Sequence, residues 1–401
     1  MRIDPPEGIG FTAACRRLRD DCAVSELIDR SARVSTLELF FDLVFVFTIT
    51  QLTAVLVNGN GAASALQVVV MLAVIWWMYD GYAWLTNAIA TDLLRFRLLL
   101  LGGMGGFLVV ALAIPNAYVD EGLAFGIGYA IVVILHAGMY VKGTTVSEVS
   151  AILRLVPFNL AAAALVLVGG AAGGGLQDVL WAGAALVLWV TPWFTSTEGF
   201  VIAAEHFCER HGLVIIVSLG ESIVVIGAGA AGVPLDLRLA LVALLALGLS
   251  ASLWWMYFRD EDGVEHAMVS TEEARRPRLA LIAFGYWHYG LLIGIVAIAA
   301  GMKKAIGDPY DPLAEWIGIE LGVGVALFVA CTVGFRTTLG LGVSRARLVG
   351  AAAALATIPL GTEWSAAGQL GALMLIVVAA LVTEARADHE IDFLHVDGRA
   401  G

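Results

Sequence analysis

The residues best suited to chemistry lie inside apolar stretches. The segment 33–52, RVSTLELFFDLVFVFTITQL, is apolar along most of its length yet carries Glu38, Asp42 and Gln51. On a helix Glu38 and Asp42 are four residues apart and share a face. A carboxylate at bilayer depth costs ~2.5–3.5 kcal/mol or more. Asp42 is therefore expected to face the protein interior, where it would accept a proton or cation, or else serve as a structural ion pair between helices. Gln51 and Thr48 fall on another face, where hydrogen bonding between helices is the default role.

A second group lies at 198–222. If this stretch is helical, Glu198, Ile202, Glu205 and Glu209 form one stripe carrying three carboxylates, with His206 and Arg210 beside it. Such clustering shifts ionisation and suits proton or cation handling; the alternative is a solvated amphipathic helix with i,i+4 ion pairs. Glu221 sits deeper, in the apolar run LVIIVSLGES between Gly220 and Ser222. A glycine there permits close packing or a local break whose carbonyls could hold a cation.

Smaller groups complete the candidates. Asp80, Asn87 and Asp92 in DGYAWLTNAIATD would line a vestibule or simply cap a solvated loop. His288, within Tyr-Trp-His-Tyr at 286–289, reads as a proton relay or as a packing histidine, with His136 the only other histidine at similar depth. Two such histidines could ligate haem, but nothing in their spacing asks for it. Glu205-His206 and Glu209-Arg210-His211 do not make an HExxH metal motif, and no Ser/His/Asp set or phosphate-cradling loop is present. GGMGG at 102–106 reads as helix packing. The four cysteines, Cys15, Cys22, Cys208 and Cys331, are scattered and read as free thiols. No metal and no cofactor is expected, and no catalytic residue is assigned.

The elements that must position these groups are membrane helices. Of 401 residues, 60% are hydrophobic and only 14% are charged, against about a quarter in soluble domains. Mean hydropathy is +0.86. The fold class is therefore all-α, a polytopic transmembrane bundle of about 12 spans, at about 36–57, 63–86, 95–114, 121–141, 151–173, 176–194, 212–230, 236–257, 279–301, 314–334, 346–361 and 366–384. A net charge of −12 without a basic face excludes nucleic-acid binding. The expected partners are the lipid bilayer and a small ion or solute.

The division expected is an arm at 1–35, a six-helix half at 36–194, a connector with a second six-helix half at 195–384, and a tail at 385–401. No cleavable leader is expected, because the first long apolar run is 33–52 itself. With twelve spans, all 23 Lys and Arg except Arg238, Lys303 and Lys304 fall on the side of the termini, so both termini are expected in the cytoplasm. Trp76, Trp77 and Tyr79, and Trp254, Trp255 and Tyr257, read as interfacial belts. Trp-Trp-Met-Tyr occurs at 76–79 and again at 254–257, and Glu38 and Glu209 each introduce a half. Two six-helix repeats in parallel orientation would explain this, and so would chance likeness of apolar segments. The loop 259–278 reads as a charged, solvated linker, and His389 and His395 in the tail as a disordered end.

Five stretches carry a family resemblance: 33–52, WLTN at 84–87 with Arg97 beyond it, AIPNAY at 113–118, ERHGLVIIVSLGES at 209–222 and YWHYGLLIGIVAIAAG at 286–301. Together they resemble the bacterial low temperature requirement A family. The resemblance implies an integral membrane protein linked in name to growth in the cold, placed in the bacterial plasma membrane. It brings no established reaction, ligand or catalytic residue. A weaker likeness links Phe40-Phe41-Asp42 to the first helix of two-repeat endolysosomal potassium channels, although Phe41 stands where that motif has serine.

The expected function is a transporter or channel for a small ion or solute, proton-coupled through buried carboxylates. Its pathway candidates are Glu38, Asp42, Gln51, Asp80, Asn87, Glu209, Arg210, Glu221, Ser222 and His288. Asp42 and Glu221 would be central, and Glu38, Glu209 and Arg210 would form a cytoplasmic gate. The alternatives are an intramembrane enzyme acting on a lipid or isoprenoid in an aromatic pocket (Phe40, Phe41, Phe45, Trp84), and a structural or assembly factor.

Overall fold

The computed structural model describes residues 34–59, 61–89 and 93–397. Most of the N-terminal arm, including Arg33, Cys15 and Cys22, lies outside the described residues, as do Asp92 and the side chains of His389 and His395. Eleven helices are long and apolar enough to cross a bilayer. The first half holds α1 (Thr36–Asn58), α2 (Ala62–Ala88), α3 (Leu94–Ala113), α4 (Gly122–Gly143), α5 (Val146–Ala172) and α6 (Gly174–Phe194). The second holds α7 (Ala204–Gly229), α8 (Leu237–Phe258), the short α9 (Glu261–Ser270), α10 (Arg276–Gly307), α11 (Glu315–Thr338), α12 (Arg345–Ala356) and α13 (Ala366–Asp397). No strand occurs among the described residues. In hydrocarbon a helix satisfies its own backbone, which is why apolar chains of this kind choose it.

The bundle of about 12 spans is borne out, with one difference. The uniform span expected at 346–361 is a twelve-residue helix, α12, followed by a π-helical turn at Leu360–Trp364. Pro359 lacks an N–H and crowds the preceding turn, so the helix breaks at Thr357. The loop 259–278 is not a solvated linker. It contains α9, and Arg276 donates to the carbonyls of Met268 (3.0 Å) and Ile202 (3.0 Å), pinning this connection to the segment before α7. α7 starts eight residues before the expected span because its polar head is buried and paired rather than solvated.

Four helices, α1, α2, α7 and α10, all touch one another and form the centre of the molecule. α1 and α7 run parallel, since Glu38 meets His206 and Thr50 meets Glu221. The neighbour order is the same in both halves. α1·α3, α3·α4, α4·α5, α5·α6 and α2·α6 recur as α7·α10, α10·α11, α11·α12, α12·α13 and α8·α13.

The tightest joint recurs as well. Gly106 of α3 and Gly128 of α4 approach so closely that a Cβ on Gly128 would lie 2.8 Å from the Gly106 carbonyl oxygen. Gly294 of α10 and Gly324 of α11 meet likewise, each Cβ falling 2.9 Å from the other's carbonyl oxygen. Small residues let membrane helices pack backbone to backbone. Gly324→Ala should therefore cost about 1–3 kcal/mol through overpacking, read as a lower thermal midpoint in detergent. Gly105→Ala, with nothing within 4 Å of its new methyl, should leave the midpoint unchanged or raise it.

Candidate functional site

α1 opens with a capping box: the Ser35 hydroxyl accepts from the Glu38 amide (3.3 Å) and Glu38 Oε2 accepts from the Ser35 amide (2.8 Å). The same carboxylate lies 3.3 Å from His206 Nε2 and 3.6 Å from Arg210 Nη1. One turn further on, Asp42 Oδ1 accepts from Arg210 Nη2 at 3.0 Å and from the Tyr79 hydroxyl. Arg210 also lies over the rings of Phe41 and Tyr79, 5.8 and 5.9 Å from their centroids. Glu38, Asp42, Tyr79 and Arg210 are each no more than 3% exposed. This is an ion-pair network at the seam between the two halves.

Asn87 orients one member of it. Its amide donates to His206 Nδ1 (3.2 Å), so the ring proton sits on Nε2 and points at Glu38. Asn87 also ties down the connector before α7, accepting from the Ala203 amide at 2.8 Å and donating to the Ala203 carbonyl at 3.1 Å. Beside this group lies a second pair. His211 Nε2 is 3.0 Å from Asp80 Oδ1, and His211 Nδ1 is 2.9 Å from the Phe207 carbonyl. Both ring nitrogens face acceptors, so the pair is fully satisfied only when it holds one proton beyond a neutral imidazole beside a carboxylate.

His288 completes the centre. Its Nδ1 donates to the Ala283 carbonyl at 3.1 Å, so Nε2 accepts from the Tyr257 hydroxyl at 2.7 Å. Its ring lies 5.5 Å from that of His211. Both nitrogens are taken by protein groups, and no metal-holding group of His, Cys, Asp and Glu occurs among the described residues. The network is not closed, however. Glu38 Oε1, Asp42 Oδ2, and Arg210 Nε and Nη1 are buried without hydrogen-bond partners. Charged atoms left so are expensive.

The structure thus brings together Glu38, Asp42, Asp80, Asn87 and Arg210, with His288 adjacent. Asp80 belongs here and not to a solvated loop: it is buried within α2. Glu209 does not join the gate expected with Glu38 and Arg210. One residue round the helix from Arg210, it is exposed and accepts from the Val34 amide at 3.0 Å. Glu221 does not join Asp42. It is buried eleven residues beyond Arg210 on α7, about 16 Å along the axis, where it accepts from the Thr50 hydroxyl at 2.5 Å. No break forms at Gly220, since α7 is continuous there.

Ser222 is buried beside Glu221 with its hydroxyl unpartnered, and Gln51 is half-buried on α1 in that same outer layer. Phe45, Ile49 and Val214 fill the space between the two layers. The carboxylate stripe through Glu198 does not exist, because residues 195–203 are not helical and the Glu198 carbonyl instead accepts from Arg154. The aromatic pocket expected for an enzyme does not form either. Phe40 is exposed, Phe41 and Phe45 pack on Tyr79, and Trp84 lines a separate cleft.

Sequence reasoning left Tyr79, His206 and His211 out of the site. Tyr79 was hidden by its place in an aromatic cluster at a span end, which suits an interfacial belt. Trp254 and Trp255 are indeed exposed, but Trp76, Tyr79 and Tyr257 are core residues. The legible signal was charge matching: His206 and Arg210 are four apart, as are Glu38 and Asp42.

Two of the cavities at the end of the bundle that holds this network adjoin it. One is a vestibule of about 1040 Å³ counted out to its mouth, lined by Glu205, Glu209, Glu261 and Glu265, with Tyr257 and Phe284 in its wall. The other is a cleft beside Asp80 in the first half.

Comparison with known proteins agrees with this architecture. A curated protein of Rhizobium meliloti (strain 1021), described as uncharacterized, is 26% identical over 363 residues, which cover 85% of this chain and 87% of that one. No solved structure matches. The sequence pattern of the bacterial low temperature requirement A protein (LtrA) matches residues 33–382, which takes in most of the helical bundle and every member of the buried network. The chain belongs to the bacterial low temperature requirement A family.

Proposed function

We propose that this membrane protein is a proton-coupled transporter of a small ion or solute, working at the seam between its two halves. The observation that carries this reading is the Asp80–His211 pair: a buried site whose hydrogen bonds ask for an exchangeable proton, beside the incompletely satisfied Arg210 network. Ionisable groups inside the membrane are a functional signal by default. Binding at the interface of two repeated halves is the common plan of carriers.

In this reading Arg210 is the fixed counter-ion of Asp42 and Glu38. Gain or loss of the proton on Asp80–His211 biases two packings of α1 and α2 against α7 and α10. Cavities reach the network from one end, while Phe45, Ile49 and Val214 close it toward the Glu221 layer. That is the form of a carrier open to one side. The excess of lysine and arginine on the side of the termini supports a cytoplasmic location for both, and on this reading the open side faces inward.

The test is flux into liposomes holding the purified protein and a pH-sensitive dye, under imposed H⁺, Na⁺ and K⁺ gradients. His211→Gln and Asp42→Asn should each lower flux by about 10²-fold or more, as expected when a proton-transfer group is removed, with the helical CD spectrum retained. Glu221→Gln should retain the Thr50 contact and lower flux less. Flux unchanged by His211→Gln and Asp42→Asn would make the network architectural and end its proposed part in transport; no flux in the wild type under any of these gradients would end the reading of an ion carrier.

A further inference from the structure

The cleft of the first half has a chemistry of its own. It lies between α2, α4, α5, the end of α6 and the connector at 195–200, and encloses about 610 Å³ counted out to its mouth. Little of this is open interior, so it suits a small ligand. Its walls are aromatic. Trp84 and Tyr140 stand edge-on to Phe200, with ring centroids 5.4 and 6.2 Å away, and Trp77 faces the same space.

The polar groups inside are the hydroxyls of Thr195, Ser196 and Thr197 on the connector and, on the helices, groups that mainly accept. His136 Nε2 is 2.9 Å from the Gly81 carbonyl and must donate to it, so Nδ1 presents a lone pair that is buried and unpartnered. Asp80 Oδ1 accepts from His211, while no hydrogen bond to its other oxygen is found among the described residues. Asn159 Oδ1 is already taken by Trp77 Nε1 at 3.0 Å. Among the described residues no lysine or arginine lines the cleft; Arg278 is held outside it on the Pro192 carbonyl and over the Trp193 ring.

A carboxylate oxygen, an imidazole lone pair and aromatic faces all favour a cation that carries N–H donors and an apolar flank. A neutral alcohol would satisfy His136 and leave Asp80 unused, and an anion would be repelled. We propose that this cleft binds a small lipophilic ammonium, with Asp80 and His136 taking its N–H groups and Trp84, Phe200 and Tyr140 its apolar body. As the transporter's cargo site this rests on the transport reading above; as a binding site it stands alone. A cation at Asp80 would compete with the proton of the Asp80–His211 pair, which is the chemistry of exchange.

The position equivalent to this cleft in the second half, between α8, α11, α12 and α13, also holds a cavity, but its walls are the ion-paired Asp260, Arg336 and Glu384 with Arg259 and Arg345 and, among the described residues, carry no aromatic ring. The aromatic, acceptor-bearing lining therefore belongs to the first half.

Three probes of one size separate the alternatives: benzylammonium, benzyl alcohol and benzoate, titrated near pH 7 against the full-length protein in nanodiscs and followed by tryptophan fluorescence and calorimetry. Benzylammonium should bind saturably and about 10-fold or more tighter than the other two. Trp84→Leu, at a half-buried wall position that leaves the ion pairs intact, should weaken it by about 10-fold, as should Asp80→Asn. Glu265→Gln in the acidic vestibule should change nothing. Equal binding of the three probes, no saturable binding, indifference to Trp84→Leu, or loss on Glu265→Gln would each overturn the proposal. Saturable, Trp84-dependent binding in a protein without flux would uphold the site and remove only the cargo role.

Discussion

Arg210→Met should lower the stability of the solubilised protein by about 3–5 kcal/mol, because it leaves Glu38 and Asp42 buried without their cation. Arg210 is 1% exposed and is the guanidinium that both acids face, with Ser35 and His206 left to help Glu38 and Tyr79 left to help Asp42. The measurement is the thermal or denaturant midpoint in detergent together with the folded yield. A triple variant, Arg210→Met with Glu38→Gln and Asp42→Asn, should recover most of the loss, since three neutral groups no longer carry an uncompensated charge.

The second buried arginine gives the control. Arg347, also 1% exposed, binds Glu384 (2.8 Å) and Asp260 (3.1 Å), but Glu384 keeps Arg259 and Asp260 keeps Arg336 when it is removed. Arg347→Met should therefore cost distinctly less, about 1–2 kcal/mol, and leave flux per folded molecule unchanged. If the triple Arg210 variant refolds and still transports as the wild type does, the network is packing and nothing more.

What the sequence made legible follows from which terms dominate. The membrane bundle and its number of spans are set by apolar length, which is additive along the chain and hard to disguise. Which face of each helix is buried was not legible, because these helices are apolar all round and carry little periodic signal. The site was half legible for the same reason. Glu38, Asp42 and Arg210 stand out because charge inside an apolar run is costly wherever it points. Tyr79 and His211 have unremarkable neighbours and acquire their roles only from helices distant in sequence, through Asp42 and Asp80.

Glu221 misled in the opposite way. It is as buried as Asp42, yet its depth along α7 and not its burial decides what it meets, and that is Thr50. The broken helix after Ala356 was marked by Pro359. The recurrence of neighbour order and of the Gly106–Gly128 and Gly294–Gly324 joints could be seen only once the helices were placed.

Trp76 offers the second large effect, and it bears on motion. α10 is not a plain helix: Leu281–Trp287 is a π-helical stretch of seven residues, and such turns free backbone carbonyls and mark functional places in helices. Two side chains engage carbonyls within it. Trp76 Nε1 donates to the Gly285 carbonyl at 2.8 Å from α2, and His288 Nδ1 donates to the Ala283 carbonyl at 3.1 Å. The indole also stacks on Tyr79 and on His288, with centroids 5.5 and 6.5 Å apart. One ring therefore joins the Asp42 arm, the His288 arm and the wide turn between the two halves.

Trp76→Ala should cost about 3–5 kcal/mol, the usual loss for a large core aromatic. Trp76→Phe is the informative variant: it keeps ring packing and leaves the Gly285 carbonyl without its donor, at about 1–3 kcal/mol. If the π turn is where α10 shifts against α2 as the Asp80–His211 proton comes and goes, Trp76→Phe should change transport rate more than its modest stability loss explains, with amide exchange at 281–287 accelerated over the rest of α10. A loss of stability with flux per folded molecule and exchange at 281–287 both unaltered would show the π turn to be a fixed kink, held by packing alone.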